Sequence, residues 1–335
     1  MPIQQMLIGI SKGEQFAEAT GGTVTEVGDY KVHAFTSSGT FTVTQLADTN
    51  EFETLIVAGG AGPGTNFSSG GGGGGGIINH QTGQALTAAA YTITVGAGGS
   101  GATGNTGSHP NTPTGNEGSD SSIKLASNSS IILEADISDI APNSGRSDPT
   151  PQANNQATWS VYAHFVGGNS AKVVNGTLTQ YTGGGGYHSV AYAGGGAGSG
   201  DNGTGAHSTT DNTQSYTPSW ATGGSYSAGG GGGDGYSTNM VSGSTAYYGG
   251  GGGAGTAANG ASNMTTYRAP GGQGGGGLGA NRHYSSTPAT NGAVNTGGGG
   301  GGGHSNTFGG NIHNAGNGGS GIAVSYTHLT LPTKA

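Results

Sequence analysis

Tyrosine, histidine and arginine gather in the second half of the chain, in short segments between runs of glycine. Tyr187 and His188 form one such group, and Tyr216, Trp220 and Tyr226 a second. Tyr236, Tyr247 and Tyr248 make a third, followed by Tyr267 with Arg268 and by Arg282 with Tyr284. Set among serine, glycine and asparagine, tyrosine supplies rigid amphipathic area with adaptable hydrogen bonds, a mixture suited to binding sugar rings or the loops of another protein. These residues are the binding candidates. The alternative is structural: the same tyrosines would close the ends of the glycine segments.

Chemistry of other kinds finds less support. Asp120, Glu134, Asp136 and Asp139 could approach one another, but carboxylates beside serine and asparagine read as solvated loop residues. The stretch 229–236 (GGGGGDGY) fits a glycine-aspartate calcium repeat only once, and that coordination needs tandem turns. His304 and His313 have no acidic neighbour in sequence and read as surface histidines, so no metal or other cofactor is expected. There is no phosphate-binding G-x-x-x-x-G-K-[ST], no H-E-x-x-H, and no G-x-S-x-G in a strand-turn-helix context. The chain is not expected to be an enzyme.

Composition narrows the partners. Of 335 residues, 78 are glycine, 30% are hydrophobic and 7% are charged, with 8 basic against 16 acidic. Without a basic patch, nucleic acid is a poor partner. Cysteine is absent, which excludes disulfides and thiolate metal sites. The first residues lack the features of a signal peptide, and no stretch has the roughly 20 apolar residues of a membrane span, so membrane insertion is not expected.

The candidate residues must be held by elements of two kinds. Residues 30–35 and 40–44 alternate large and small side chains around the turn residues Ser37, Ser38 and Gly39, which reads as a β-hairpin. Residues 55–57 and 91–95 read as further strands. Glycine thins out over 126–180, read as an inserted β-rich module. Beyond it lie most of the 14 tyrosines and most of the long glycine runs, with no helical period.

Uninterrupted glycine occupies 70–76, 183–186, 229–233, 249–253, 274–277 and 297–303. One run alone would read as a flexible linker. Several runs at similar spacing, preceded by good strands, fit a bundle of polyglycine II helices, which are extended threefold helices with no internal hydrogen bonds. Each must pair its backbone groups with neighbouring chains, and close approach on every side leaves no room for a Cβ. Unbroken runs should then be enclosed, while the mixed stretches 194–205 and 309–319 should lie at a face. At a rise of about 3.1 Å per residue, the run 297–303 would span about 22 Å.

The ordered motifs YKVHAFTSSGTFTV (30–43), LIVAGG (55–60), ITVGAG (93–98) and GGSGIAV (318–324) resemble the glycine-rich domain family frequent in structural proteins of bacteriophages and marine viruses. The arrangement is also similar to T-even phage tail-fibre tip adhesins, whose polyglycine II sandwiches display variable loops. The resemblance implies an all-β fold: a small antiparallel sheet domain with an inserted polyglycine II bundle, almost no helix, and 322–324 returning as a last strand. The chain is thus read as an N-terminal attachment segment (1–29), a sheet domain with the first glycine run (30–125), the inserted module (126–180), which has no counterpart in the family pattern, and a polyglycine II block with closing strand (181–324). Residues 325–333 (SYTHLTLPT) read as frame-shifted translation of a transposon-end sequencing adaptor, giving 325–335 a foreign origin. The implied function is a virion structural protein, a tail-fibre or fibre-tip adhesin binding a host-cell surface glycan or outer-membrane protein and contacting other virion or fibre proteins. Release inside a virus particle would explain the missing secretion signal. The alternatives are a non-adhesive virion or surface spacer and a disordered glycine-rich linker; typical disordered chains carry more charge than this one.

Overall fold

The computed structural model describes residues 15–48, 51–65, 70–104, 115–136, 167–184, 195–203, 207–208, 227–255, 268–281, 287–305 and 312–328. Among them every regular element is a strand. In chain order these are β1 (Glu18–Thr20), β2 (Thr23–Val27), β3 (Tyr30–Phe35), β4 (Gly39–Gln45), β5 (Phe52–Val57), β6 (Ile78–Gln84), β7 (Ala90–Thr94), β8 (Ser121–Leu125) and β9 (Ile131–Ala135). There follow β10 (Ser170–Val174), β11 (Thr177–Tyr181), β12 (His207–Ser208), β13 (Ser227–Ala228), β14 (Tyr236–Thr238), β15 (Ala246–Tyr248), β16 (His304–Ser305), β17 (Ile312–His313) and β18 (Ile322–His328).

Two sheets face each other. The smaller, in order β1-β4-β7-β8-β9, is antiparallel. The larger runs β11-β10-β6-β5-β18-β3-β2, with β10 parallel to β6 and the other neighbours antiparallel. Phe35, Phe52 and Ile56 from the larger sheet meet Phe41, Tyr91, Ile93 and Ile123 from the smaller in one buried cluster. Strand β7 shows the pattern this requires, with Tyr91 and Ile93 buried and Thr92 and Thr94 exposed. Strand β5 (FETLIV) is buried almost throughout because its second face is covered as well: Leu55 and Val57 pack with Met240 and Tyr248.

The expected hairpin of 30–35 with 40–44 does not form. β3 and β4 enter different sheets, and the turn between them is an arch across the core. Both strands carry an aromatic on the apolar face, and placing them in opposite layers buries both: Phe35 and Phe41 meet edge to face at 6.3 Å. The segment 1–29 contributes β1 and β2, which pair with β4 and β3. The described part of 126–180 is shared between the two sheets, β9 in the smaller and β10 and β11 in the larger.

Residues 322–324 return to the sheet as the resemblance implied, and the strand continues to His328. It pairs with β3 from Ala323↔Phe35 to His328↔Tyr30 and with β5 from Ile322↔Val57 to Tyr326↔Glu53. Strand pairing is a backbone property, and the alternation of Ser325, Tyr326 and Thr327 serves it whatever the coding origin of the segment. The Tyr326 ring settles against Tyr30, with centroids 4.8 Å apart.

From the ends of β5 and β7 the chain runs away from the sheets as glycine-rich segments, and similar segments lead back into β6, β8 and β18. Their backbone hydrogen bonds recur every third residue. Gly70, Gly73 and Gly76 donate to the carbonyls of Gly303, Gly300 and Gly297. Gly250 and Gly253 donate to Gly274 and Gly277, Gly251 and Ala254 to Gly233 and Gly230, and Gly252 and Gly255 to Gly73 and Gly70. One short segment thus serves three neighbours in rotation. Packing is close enough to exclude side chains: a Cβ on Gly252 would stand 1.9 Å from the carbonyl oxygen of Gly300, and one on Gly72 1.9 Å from that of Gly252.

The runs 70–76, 249–253 and 297–303 are enclosed as expected. The run 274–277 is not. It is a half-exposed turn at the sheet-side end, where Gly274 and Gly275 take φ of 94° and 91°, a region closed to most side chains. Among mixed stretches, the described part of 309–319 lies at a face, with Asn314 and Asn317 exposed three residues apart. In the stretch 194–205, residues 195–199 are instead buried, because Ala197 and Ser199 are small enough to sit inside the block, while Asp201 and Asn202 are exposed as expected.

Candidate functional site at the two ends of the glycine block

The hairpin β14–β15 stands at the sheet-side end and lies on the outer face of the larger sheet. Tyr248 and Met240 are buried there against Val32, Leu55, Val57 and Ile78. The base of the hairpin is pinned by Ser199, whose hydroxyl donates to the Tyr248 carbonyl at 2.8 Å and accepts from the Tyr236 amide at 3.1 Å. Burial raises the phenol pKa of both Tyr236 and Tyr248, with the Glu53 carboxylate adding to the effect at Tyr236. Tyr247 is half-buried. Tyr236 and Tyr248 therefore act as packing residues, and the structural alternative applies to them.

Beside the hairpin is a polar cluster that sequence reading did not single out. His80 on β6 lies 2.8 Å through Nδ1 from the Tyr236 hydroxyl and 2.7 Å through Nε2 from a Glu53 carboxylate oxygen. A neutral imidazole protonated on Nε2 satisfies both contacts: the tyrosine donates to Nδ1 and Nε2–H donates to the carboxylate. The Lys172 ammonium lies 5.6 Å from the Tyr236 ring centre and 5.5 Å from that of Tyr181. In a chain with so few charges, Glu53 on β5 and Lys172 on β10, the two strands that flank β6, were the available signal. His80 gave none, because INHQTGQ shows no strand-like alternation.

At the opposite end the block gathers many stems. Gly255 donates to Gly70, Ala254 to Gly230, Ala280 to Gly302, Ala102 to Pro63, and Gly70 to Gly303. The ends of the passes at 65, 70, 104, 115, 229, 255, 268, 281, 287 and 303 therefore lie on the side away from the sheets. Arg268 braces this end, its Nε donating to Gly279 O at 2.8 Å and its Nη2 to the carbonyls of both Leu278 and Pro288. Desolvation lowers its pKa. This guanidinium is committed to backbone. Tyr187, His188, Tyr216, Trp220, Tyr226, Tyr267, Arg282 and Tyr284 lie outside the described residues.

The remaining candidates resolve simply. Glu134 pairs with Lys124 at 3.2 Å. Asp234 accepts from the Gln273 amide at 2.7 Å, a structural use of the residue considered for calcium. His304 is fully buried, contrary to the surface position expected for it, and stands directly across a two-stranded ladder from His313. Among the described residues no group of three or more histidines and carboxylates could hold a metal, and no helix is long and apolar enough to cross a membrane.

An all-β framework joined to backbone-packed runs of glycine defines a glycine-rich domain. The chain belongs to the glycine-rich domain family, whose model matches residues 36–327. No curated protein matches the sequence.

Proposed function

We propose that the chain is a virion structural protein of the tail-fibre or fibre-tip type, with a polyglycine II block whose far-end loops bind a glycan or protein on a host-cell surface. The three-residue recurrence of backbone partners supports the polyglycine II reading. The observation that carries the display role is the gathering of stems. Residues 255 and 268, which flank Tyr267, and 281 and 287, which flank Arg282 and Tyr284, reach the same end of the block. Anchor points far apart in sequence are thereby held at one end of the block, as the display of a multivalent contact requires. The reading assigns no catalysed reaction.

The test compares labelled full-length protein with a variant in which Tyr216, Trp220, Tyr267 and Tyr284 are changed to alanine, on intact candidate host cells. Binding should fall at least about tenfold, some 1.4 kcal/mol. Equal binding by a variant with an unchanged melting temperature would leave the block as a spacer.

A further inference from the structure

His304 and His313 occupy directly opposed positions on the antiparallel pair β16–β17, immediately after the run 297–303 and before the return segment into β18. Opposed residues on such a pair share a face, with Cβ atoms about 5 Å apart. Imidazole nitrogens bind Zn²⁺ at about 2.0–2.1 Å, and two side chains at this separation can reach one ion. We infer that His304 and His313 form a divalent transition-metal site that clamps the stem of residues 306–311 at the far end of the glycine block.

The surroundings favour this chemistry. Nε2 of His313 is buried and has no hydrogen-bond partner. Thr65, fully buried, also has an unpartnered hydroxyl, and it adjoins the same corner: a Cβ on Gly303 would lie 2.4 Å from Thr65 Cγ2 and 2.7 Å from the His313 carbonyl oxygen. A buried polar atom left unpaired is destabilising, and a ligand there relieves that cost. The donor set is imidazole without thiolate, which suits Zn²⁺, Ni²⁺ or Cu²⁺ and not the oxygen-seeking Mg²⁺ or Ca²⁺. Two protein ligands leave the other coordination positions to water, with the Thr65 hydroxyl available to the water shell. The strand pair is short, two residues a side. Metal bridging would fasten what backbone pairing holds only briefly.

The inference is independent of whether the far end binds a cell. Full-length protein, stripped with EDTA and dialysed, is titrated calorimetrically with ZnCl₂ and separately with MgCl₂. One Zn²⁺ should bind per chain, with no response to Mg²⁺, and His313→Gln should weaken the Zn²⁺ affinity at least about tenfold. Cu²⁺ added at one equivalent to the unaltered chain should give an electron paramagnetic resonance spectrum with two equatorial imidazole nitrogens. Absence of Zn²⁺ binding, equal affinity in His313→Gln, or a Cu²⁺ spectrum with another nitrogen count would each overturn the site, and the spectrum does so without a variant that must fold.

Discussion

At the residue scale, glycine in this chain is a packing requirement at some positions and a conformational one at others. Gly252 is of the first kind, since a methyl group there meets the Gly300 carbonyl at 1.9 Å and neither backbone can yield without breaking its own hydrogen bonds. Gly252→Ala should cost about 3 kcal/mol, at the upper end of overpacking effects. Ala254→Gly, two residues on, deletes only a buried methyl and should cost about 1 kcal/mol; urea denaturation compares the two. His33 illustrates the other expense of a small core. Its ring is fully buried, with Nδ1 2.9 Å from the Gly21 carbonyl and the ring edge-on to Phe41 at 5.2 Å. Desolvation, with Lys31 nearby, outweighs that carbonyl and lowers its pKa below the ordinary 6.5. The folded state then prefers the neutral ring. Its contribution is whole above about pH 6.5 and is lost as the pH falls through the lowered value. The urea midpoint should drop between pH 7.5 and pH 5.5, and the drop should shrink in His33→Gln.

At the element scale, the hairpin β14–β15 decides why the larger sheet reads as it does. A sheet with one face in water would show alternation in β5, whereas covering both faces makes FETLIV a nearly continuous buried run. The cover is fastened by polar contacts between elements 156 residues apart in sequence, His80 and Tyr236. Tyr236→Phe should destabilise the protein by about 1–2 kcal/mol, since it leaves the His80 Nδ1 acceptor unpaired. A double-mutant cycle with His80→Ala should return a coupling of about 1 kcal/mol, and a value near zero would mean that the hydroxyl contact contributes nothing. Strands β3, β4, β5 and β7 were legible in the sequence because alternation or apolar runs are local signals. β6 was not, since Asn79, His80 and Gln81 become strand residues only through a cover supplied from far along the chain. The arch between β3 and β4 was misread as a hairpin for a related reason: turn chemistry announces a reversal, and the layer that each strand joins is settled by distant partners.

At the scale of the whole molecule, a two-sheet sandwich of ordinary construction anchors a block with almost no side-chain core. The existence of that block was legible, because repeated pure glycine between good strands has few packed solutions. Which end each segment reaches was not. The runs 274–277 and 249–253 are identical in composition, yet one turns and the other passes through the block. Tyr248 and Tyr267 likewise sit in similar local sequence, and Tyr248 proves to be packed on the sheet while the residue after Tyr267 marks the far end.

The recurrence of partners at every third residue also sets a unit of length for change. Removing one residue from the run 297–303 turns each following carbonyl toward the wrong neighbour, so that all later bonds in that segment lose their acceptors. Removing three shortens the segment by one full repeat and turns each remaining group back toward the same neighbouring segment, one repeat along. Deleting Gly300 alone should therefore lower the melting temperature more than deleting Gly299, Gly300 and Gly301 together, and the reverse order would show that the segments slide freely. Related chains should differ in the length of their glycine runs by multiples of three, while the segments joining those runs are released from any such arithmetic.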